Sequence, residues 1–191
     1  MKTDLKGVRE RVYFNRKELK EIEYDILNRR HIERYALIRQ YLFGDVLDVS
    51  CGSGYGAYLV SNNPDINSVL GLDIDQEAID WANDHFATEK VSFARKRIED
   101  HTSKADVLVS IETIEHLEDP KILNDLAERC KVNQVLVSYP SKKTTHYNKY
   151  HYRDFIDDEI IRIFTNFKLI DVIDLHREVR ILNFKRYDSS L

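Results

Sequence analysis

The stretch Asp45-Val46-Leu47-Asp48-Val49-Ser50-Cys51-Gly52-Ser53-Gly54-Tyr55-Gly56-Ala57-Tyr58 decides how the rest of the chain is read. A short apolar run, Val46, Leu47 and Val49, is followed by glycines at alternate positions, Gly52, Gly54 and Gly56, and then by a helix-like segment. That is the order of a strand, a tight turn and a helix start. Gly52 and Gly54, lacking a Cβ, let the backbone turn sharply and come close to a ligand, while the unsatisfied N–H groups of the new helix face whatever sits there. Such a turn suits a nucleotide-like cofactor.

The flanking residues narrow the choice. A dinucleotide fingerprint has Gly-x-Gly-x-x-Gly with a phosphate over the helix N-terminus, but here the third glycine comes one residue early and Asp48 precedes the turn. A carboxylate there repels a pyrophosphate and suits a cationic ligand. The string from Asp48 to Gly54 resembles motif I of class I S-adenosylmethionine-dependent methyltransferases, acid-x-Gly-x-Gly-x-Gly, with Ser50 standing where that family has its first glycine. The resemblance implies S-adenosylmethionine as cofactor, held around Asp48, Ser50, Gly52 and Gly54.

Working outward, 191 residues suffice for one α/β domain with a sizeable core and are too few for two of ordinary size. We expect a single domain over 1–191, with a helical cap at 1–43 and a core at 44–191. No apolar run of membrane length and no charged-then-apolar leader is present, so a soluble, cytoplasmic protein is expected. The net charge of −4 gives no global pull toward nucleic acid. Cys51 and Cys130 stand far apart, without zinc or redox spacing, and read as packed thiols.

Ahead of motif I, the first twenty residues hold seven Lys/Arg against three acids. Helical spacing then begins at Leu19, Ile22, Ile26 and Leu27, and a second helix is expected from Arg29 to Leu42, with Ile32, Tyr35 and Ala36 on one face. Beyond the glycine turn, a helix to Ser61 ends at Asn62, Asn63 and Pro64. The next strand, Val69 to Asp73, delivers an acid 19 positions after Gly54, where a second βα unit meets a ribose. Asp73, followed by Ile74, takes that ligand role, and Asp75 caps the following helix. After a strand at Val91 to Ala94, the resemblance puts Ile98 against the adenine ring and Glu99 near its amino group.

A fourth strand, Asp106 to Ser110, runs into Ile111-Glu112-Thr113-Ile114-Glu115-His116, with Asp119 and Pro120 as cap and first position of a helix. Ile111, Glu112, Glu115 and His116 therefore sit at the C-terminal sheet edge, where open α/β sheets bind ligands. A fifth strand, Val132 to Ser138, opens into residues 139–154, which hold Lys142, Lys143, Lys149 and Arg153 among tyrosines and histidines, with no acid from 141 to 153. This is the expected acceptor loop. Asp154 is expected to cap a helix to about Phe164, and Phe167 to Leu175 with Glu178 to Phe184 to form an antiparallel hairpin. The whole resembles the doubly wound, seven-stranded Rossmann-like methyltransferase sheet of order 3-2-1-4-5-7-6, its last strand antiparallel, with helices on both faces.

The chemistry is that of a positioned nucleophile. His116, with Glu115 beside it and His151 downstream, is the expected base for a hydroxyl acceptor. The alternative is a divalent metal on Glu112, Glu115, His116 and His151 or His146, similar to metal-dependent methyltransferases of small-RNA 3′ ends and of some ubiquinone pathways; metal is not the favoured reading. The segment after the fourth strand lacks the Asn/Asp-Pro-Pro-Tyr of base-amine methyltransferases. His31-Ile32-Glu33-Arg34-Tyr35, Gly54-Tyr55-Gly56 and Asn148 to Phe155 resemble methyltransferases found with bacterial surface-polysaccharide genes. That resemblance implies O-methylation of a sugar or other small hydroxyl acceptor, on a glycan or phosphate-linked carrier, by a monomer or homodimer. A metal-assisted RNA ribose 2′-O-methyltransferase and a non-catalytic cofactor-binding module are the alternatives.

Overall fold

A computed structural model describes residues 16–187. Its centre is a seven-stranded sheet in which continuous apolar runs form parallel strands covered on both faces, as such runs require. Chain order is α1 (Arg16–Ile38), a 3-10 turn (Arg39–Tyr41), β1 (Gly44–Val49), α2 (Tyr55–Ser61), β2 (Ile66–Asp73), α3 (Gln76–Phe86), β3 (Val91–Arg95) and β4 (Val107–Ser110). Then come α4 (Lys121–Arg129), β5 (Gln134–Pro140), α5 (Asp157–Ile163), β6 (Phe167–Leu175) and β7 (Val179–Arg186). The strand order is β3-β2-β1-β4-β5-β7-β6, with β7 antiparallel to both neighbours, as expected. Expected and observed strand ends differ by at most three residues, and β6 matches at both ends.

The pleat sorts the core into two layers. Val46 packs with Tyr35, Ile38, Ala57, Val60 and Ile79 on one face, while Leu47 and Val49 pack with Leu123, Leu126, Ala127 and Ile160 on the other. Asp48, on the Val46 side of β1, is thereby aimed under α1, at 0% exposure. Cys51 and Cys130 are buried and free. Among the described residues, no helix is long and apolar enough to cross a membrane.

Four local expectations need correction. The two N-terminal helices are one continuous α1, because no breaker stands between Leu27 and Ile38; Leu19's side chain and residues 1–15 lie outside the description. The expected apolar faces are also wrong. Ile22, Ile26, Leu27 and Ile32 are 40–48% exposed, and burial begins at Tyr35 and Ile38 where α1 reaches the sheet. Pro120, not Asp119, holds the cap position of α4, although the Asp119 carboxylate accepts from Lys121 N at 3.1 Å. Asp154 does not cap α5. Ile156 occupies that place, its N–H donating to Glu159 Oε2 at 3.0 Å. Asp154 instead clasps the loop after β5, accepting from the backbone of Thr144 and Thr145 and from both their hydroxyls.

Candidate active site

The glycine turn is built by backbone. Ser50 (φ 57°), Gly52 (φ 53°) and Gly54 (φ 86°) all adopt left-handed conformations. Ser50 thus stands in a conformation that glycine takes without strain, which explains a glycine preference at this point of the motif. A Cβ on Gly54 would lie 2.7 Å from Ala82 Cβ and 2.8 Å from the Phe93 ring, whereas one on Gly52 would meet nothing within 4 Å. Gly54 is therefore small for packing, and Gly52 is small facing open space. The N–H of Gly52 donates to Asp73 Oδ2 at 2.9 Å, and that of Asp75 to Oδ1 at 3.0 Å, so Asp73 is locked where β2 ends. Asp75 caps α3 as expected, accepting from Glu77 N and Ala78 N.

Behind the turn, the Tyr35 hydroxyl donates to Asp48 Oδ1 at 3.3 Å, and Oδ2 has no partner. Burial pushes the Asp48 carboxyl up to about 8, the Tyr35 hydrogen bond opposes that rise and the Asp73 charge adds to it. A narrow cleft of about 130 Å³ is lined by Ser50, Asp73, Ile74, Ile98 and Glu99. Ile74 is 63% exposed at its rim, and Ile98 is buried. Glu99 is ion-paired to Arg97 at 2.9 Å, which leaves it in the cleft as a pinned carboxylate. Ile111 is buried at the end of β4.

A second, wider cavity of about 630 Å³ lies between α1, the segment after β4, the loop after β5 and the β6–β7 turn. His116 lines it, and its Nδ1 lies 3.0 Å from the Tyr150 carbonyl. A carbonyl only accepts, so Nδ1 carries the hydrogen and the neutral ring keeps its lone pair on Nε2. Glu115, 2% exposed, has an Oε2 without a partner. Burial, and then the Glu112 charge, push its carboxyl up to about 8.

His151 is arranged differently from expectation. Tyr150 N donates to Asn148 Oδ1 at 3.1 Å, which turns the Asn148 amide nitrogen onto His151 Nε2 at 2.8 Å. Nε2 therefore accepts, and Nδ1–H donates to Thr144 Oγ1 at 2.6 Å. With both nitrogens engaged, His151 has no free lone pair in this arrangement. It packs edge-on against His116, ring centroids 4.5 Å apart. Burial, then the neighbouring His116, hold its pKa below the usual imidazole range.

Glu112 is likewise taken. Its backbone N–H donates to Ser138 Oγ at 2.8 Å, Ser138 Oγ donates to its Oε1 at 2.8 Å, and Arg34 pairs with its Oε2 at 3.2 Å. These contacts hold a non-glycine residue at φ 52°. The expected four-ligand metal set thus loses Glu112, and among the described residues the grouping that remains is Glu115, His116 and His151, whose ligand atoms lie within 4.8 Å of one another. His146 is not in it. Sequence reasoning gave no site role to Ser138, Thr144 and Glu178, which carry no motif of their own; Arg34, Tyr35 and Asn148 were flagged only within the strings His31 to Tyr35 and Asn148 to Phe155.

Residues 46–133 match the family described as the methyltransferase domain. A Mycobacterium tuberculosis protein named as a probable S-adenosylmethionine-dependent methyltransferase is 28% identical over 139 residues, covering 67% of this chain and 49% of that protein. The mitochondrial ubiquinone biosynthesis O-methyltransferase of Saccharomyces cerevisiae is 29% identical over 80 residues, 39% of this chain and 26% of that one. The chain thus spans about half the length of the first relative and a quarter of the second. The magnesium protoporphyrin IX methyltransferase of Synechocystis, solved with bound S-adenosylhomocysteine, superposes with a TM-score of 0.70 at 16% identity, over 93% of this chain and 90% of its own. Motif, matched stretch and fold agree: residues 46–133 are similar to the methyltransferase domain, and the sheet has the fold of methyltransferases solved with S-adenosylhomocysteine.

Proposed function

We propose that the protein transfers the methyl group of S-adenosylmethionine to a hydroxyl of a sugar or similar small acceptor, with His116 as general base. The observation that carries this is the His116 ring, oriented by the Tyr150 carbonyl so that Nε2 holds its lone pair in the wider cavity. The narrow cleft takes the cofactor. Asp73 receives the ribose hydroxyls, Ile74 and Ile98 cover the adenine, Glu99 accepts from its amino group, and Asp48, Ser50, Gly52, Gly54 and Ile111 surround the methionine part. The positive sulfonium and ammonium groups draw Asp48 toward its ionised form.

In the reaction, the acceptor oxygen attacks the methyl carbon and the carbon–sulfur bond breaks. Its electron pair passes to sulfur, giving neutral S-adenosylhomocysteine, and the hydroxyl proton goes to His116 Nε2. The sulfonium supplies the electrophile, so the protein's part is alignment and proton removal. The yeast O-methyltransferase match and the glycan-gene resemblance support oxygen as the acceptor atom.

A second reading has its own observation, the unpartnered Glu115 Oε2 beside His116 and His151. A divalent ion would be held by Glu115, His116 Nε2 and His151 Nε2, with Asn148 turned away, and would lower the pKa of an acceptor hydroxyl, including an RNA ribose 2′-hydroxyl. One experiment separates these readings and the non-catalytic alternative: turnover with hexose and RNA acceptors, with chelator or Mn²⁺, in the wild type and His116→Ala. We expect a loss of roughly 10²–10⁴-fold in kcat for His116→Ala with S-adenosylhomocysteine binding intact and no metal requirement. Turnover abolished by chelator favours the metal reading, and turnover indifferent to His116→Ala refutes the base.

A further inference from the structure

We propose that the acceptor carries an oxyanion, and that Arg30 and Lys142 receive it in place of Glu178. This rests on the wider cavity being the acceptor site. Three fixed cations line that cavity, Arg30, Arg34 and Lys142, against Glu112, Glu115 and Glu178. Arg34 and Glu112 are matched to each other.

Glu178 is left as one carboxylate for two cations from distant segments. Its Oε2 pairs with Arg30 of α1, and its Oε1 lies 3.9 Å from Lys142 Nζ. The lysine is held there by the adjoining backbone, Ser141 N donating to Glu178 O at 2.8 Å. At this corner two cations therefore share one carboxylate. The buried Arg34 Nε also lacks a partner. The side chains of Arg30, Glu178 and Lys142 are 36%, 35% and 65% exposed, so these pairs are wet and weak. A phosphate or carboxylate on the acceptor can displace Glu178 from both cations, through charge-assisted hydrogen bonds. Lys143, Lys149 and Arg153, in a segment without an acid, add to the field that draws such a group in. The cavity then grips its acceptor at two points, an oxyanion at this corner and a hydroxyl at His116.

The competing explanation is a staple: Arg30–Glu178, beside His176–Glu33, merely ties α1 to the β6–β7 turn. The test is titration of the full chain, saturated with S-adenosylhomocysteine, with inorganic phosphate and separately acetate, read from amide chemical shifts against sodium chloride at equal ionic strength. We expect saturable shifts around residues 141–144 and 178–179 with one of the two anions, which names the oxyanion as phosphate or carboxylate. Lys142→Ala and Arg30→Ala should each weaken that binding about tenfold, and Glu178→Gln should tighten it several-fold. Shifts that fail to saturate, or that survive both cation removals, overturn the proposal. So does a Glu178→Gln variant that only melts earlier. S-adenosylhomocysteine binding is measured first in the same samples, so failure of the cofactor assignment shows separately.

Discussion

The narrow cleft proposed for the cofactor and the wider cavity proposed for the acceptor are built from different materials. The cleft is held by backbone N–H groups of two adjacent strand ends: Cys51 N on Leu72 O and Gly52 N on the Asp73 carboxylate across β1 and β2, and Asp75 N on Asp73 within one turn. Each contact that holds the cavity uses at least one side chain and joins separate segments of the chain. Ser138 on Glu112 spans 26 residues, Tyr150 on His116 spans 34, and Arg30 on Glu178 spans 148. A backbone-built site admits few sequences, because conformation itself is the constraint. A side-chain-built site can be rewritten contact by contact while the scaffold stays, which is how one fold serves many acceptors.

The sharpest way to break that contrast is to add one methyl group at either glycine. Gly54→Ala combines left-handed strain with a Cβ forced into Ala82 and Phe93. We expect it to lose about 2–5 kcal/mol of stability in urea melts. Gly52→Ala carries the strain alone, about 1–2 kcal/mol, and its Cβ projects into open space. It should fold and yet bind S-adenosylhomocysteine at least about tenfold more weakly by calorimetry. Equal stability losses in the two variants would mean that both glycines serve packing and that the cleft is not defined by backbone approach.

The same contrast explains what could be read from the sequence. Asp48, Gly52, Gly54, Asp73 and Asp75 lie within thirty residues of one another, and strand-turn-helix order dictates where each must stand. The sheet order came from the methyltransferase resemblance of five βα units and a hairpin, and the structure has it. The hairpin turn itself places His176 and Arg177 at φ 56° and 55° without any glycine, a connection that only strand spacing announced. In the acceptor half, residue type and neighbourhood were not enough. Glu112 had ligand spacing but is consumed by Arg34 and Ser138. His151 had the chemistry of a base but is fixed by Asn148 and Thr144. Asp154 had the position of a cap, yet its carboxylate finds four donors in Thr144 and Thr145, which hold it down to about 2. Each outcome depends on a partner that sequence spacing does not reveal.

A smaller effect tests the acceptor half through pH. Burial lifts Glu115 from an ordinary value near 4.5 to about 8. Between those values the folded protein keeps a proton that the unfolded chain has released, so this group's contribution to stability is complete at low pH and is lost as pH rises through 8. Relative to Glu115→Gln, which does not titrate, the wild type should lose stability from pH 5 to 8, by on the order of 1–3 kcal/mol. Thermal melts of both proteins across that range measure it. Mn²⁺ that flattens the difference would favour the metal reading, since an ion binds the ionised carboxylate.

The smallest expected effect falls where the two halves meet. Arg34 and Tyr35 are adjacent on α1, but Arg34 pairs with Glu112 in the acceptor cavity while the Tyr35 hydroxyl reaches Asp48 behind the glycine turn. Tyr35→Phe removes the side-chain donor to a fully buried carboxyl whose other oxygen already lacks a partner. The cost should be about 0.5–1.5 kcal/mol in stability. Because that hydrogen bond lowers the Asp48 pKa, its loss should raise it further. More Asp48 is then protonated, and S-adenosylmethionine, as a cation, should bind more weakly at pH 7 and recover as pH rises. Anion binding at Arg30 and Lys142 should not change. A Tyr35→Phe variant that weakened both would show that α1 couples the two sites, and that the division between a backbone-built cleft and a side-chain-built cavity ends at this helix.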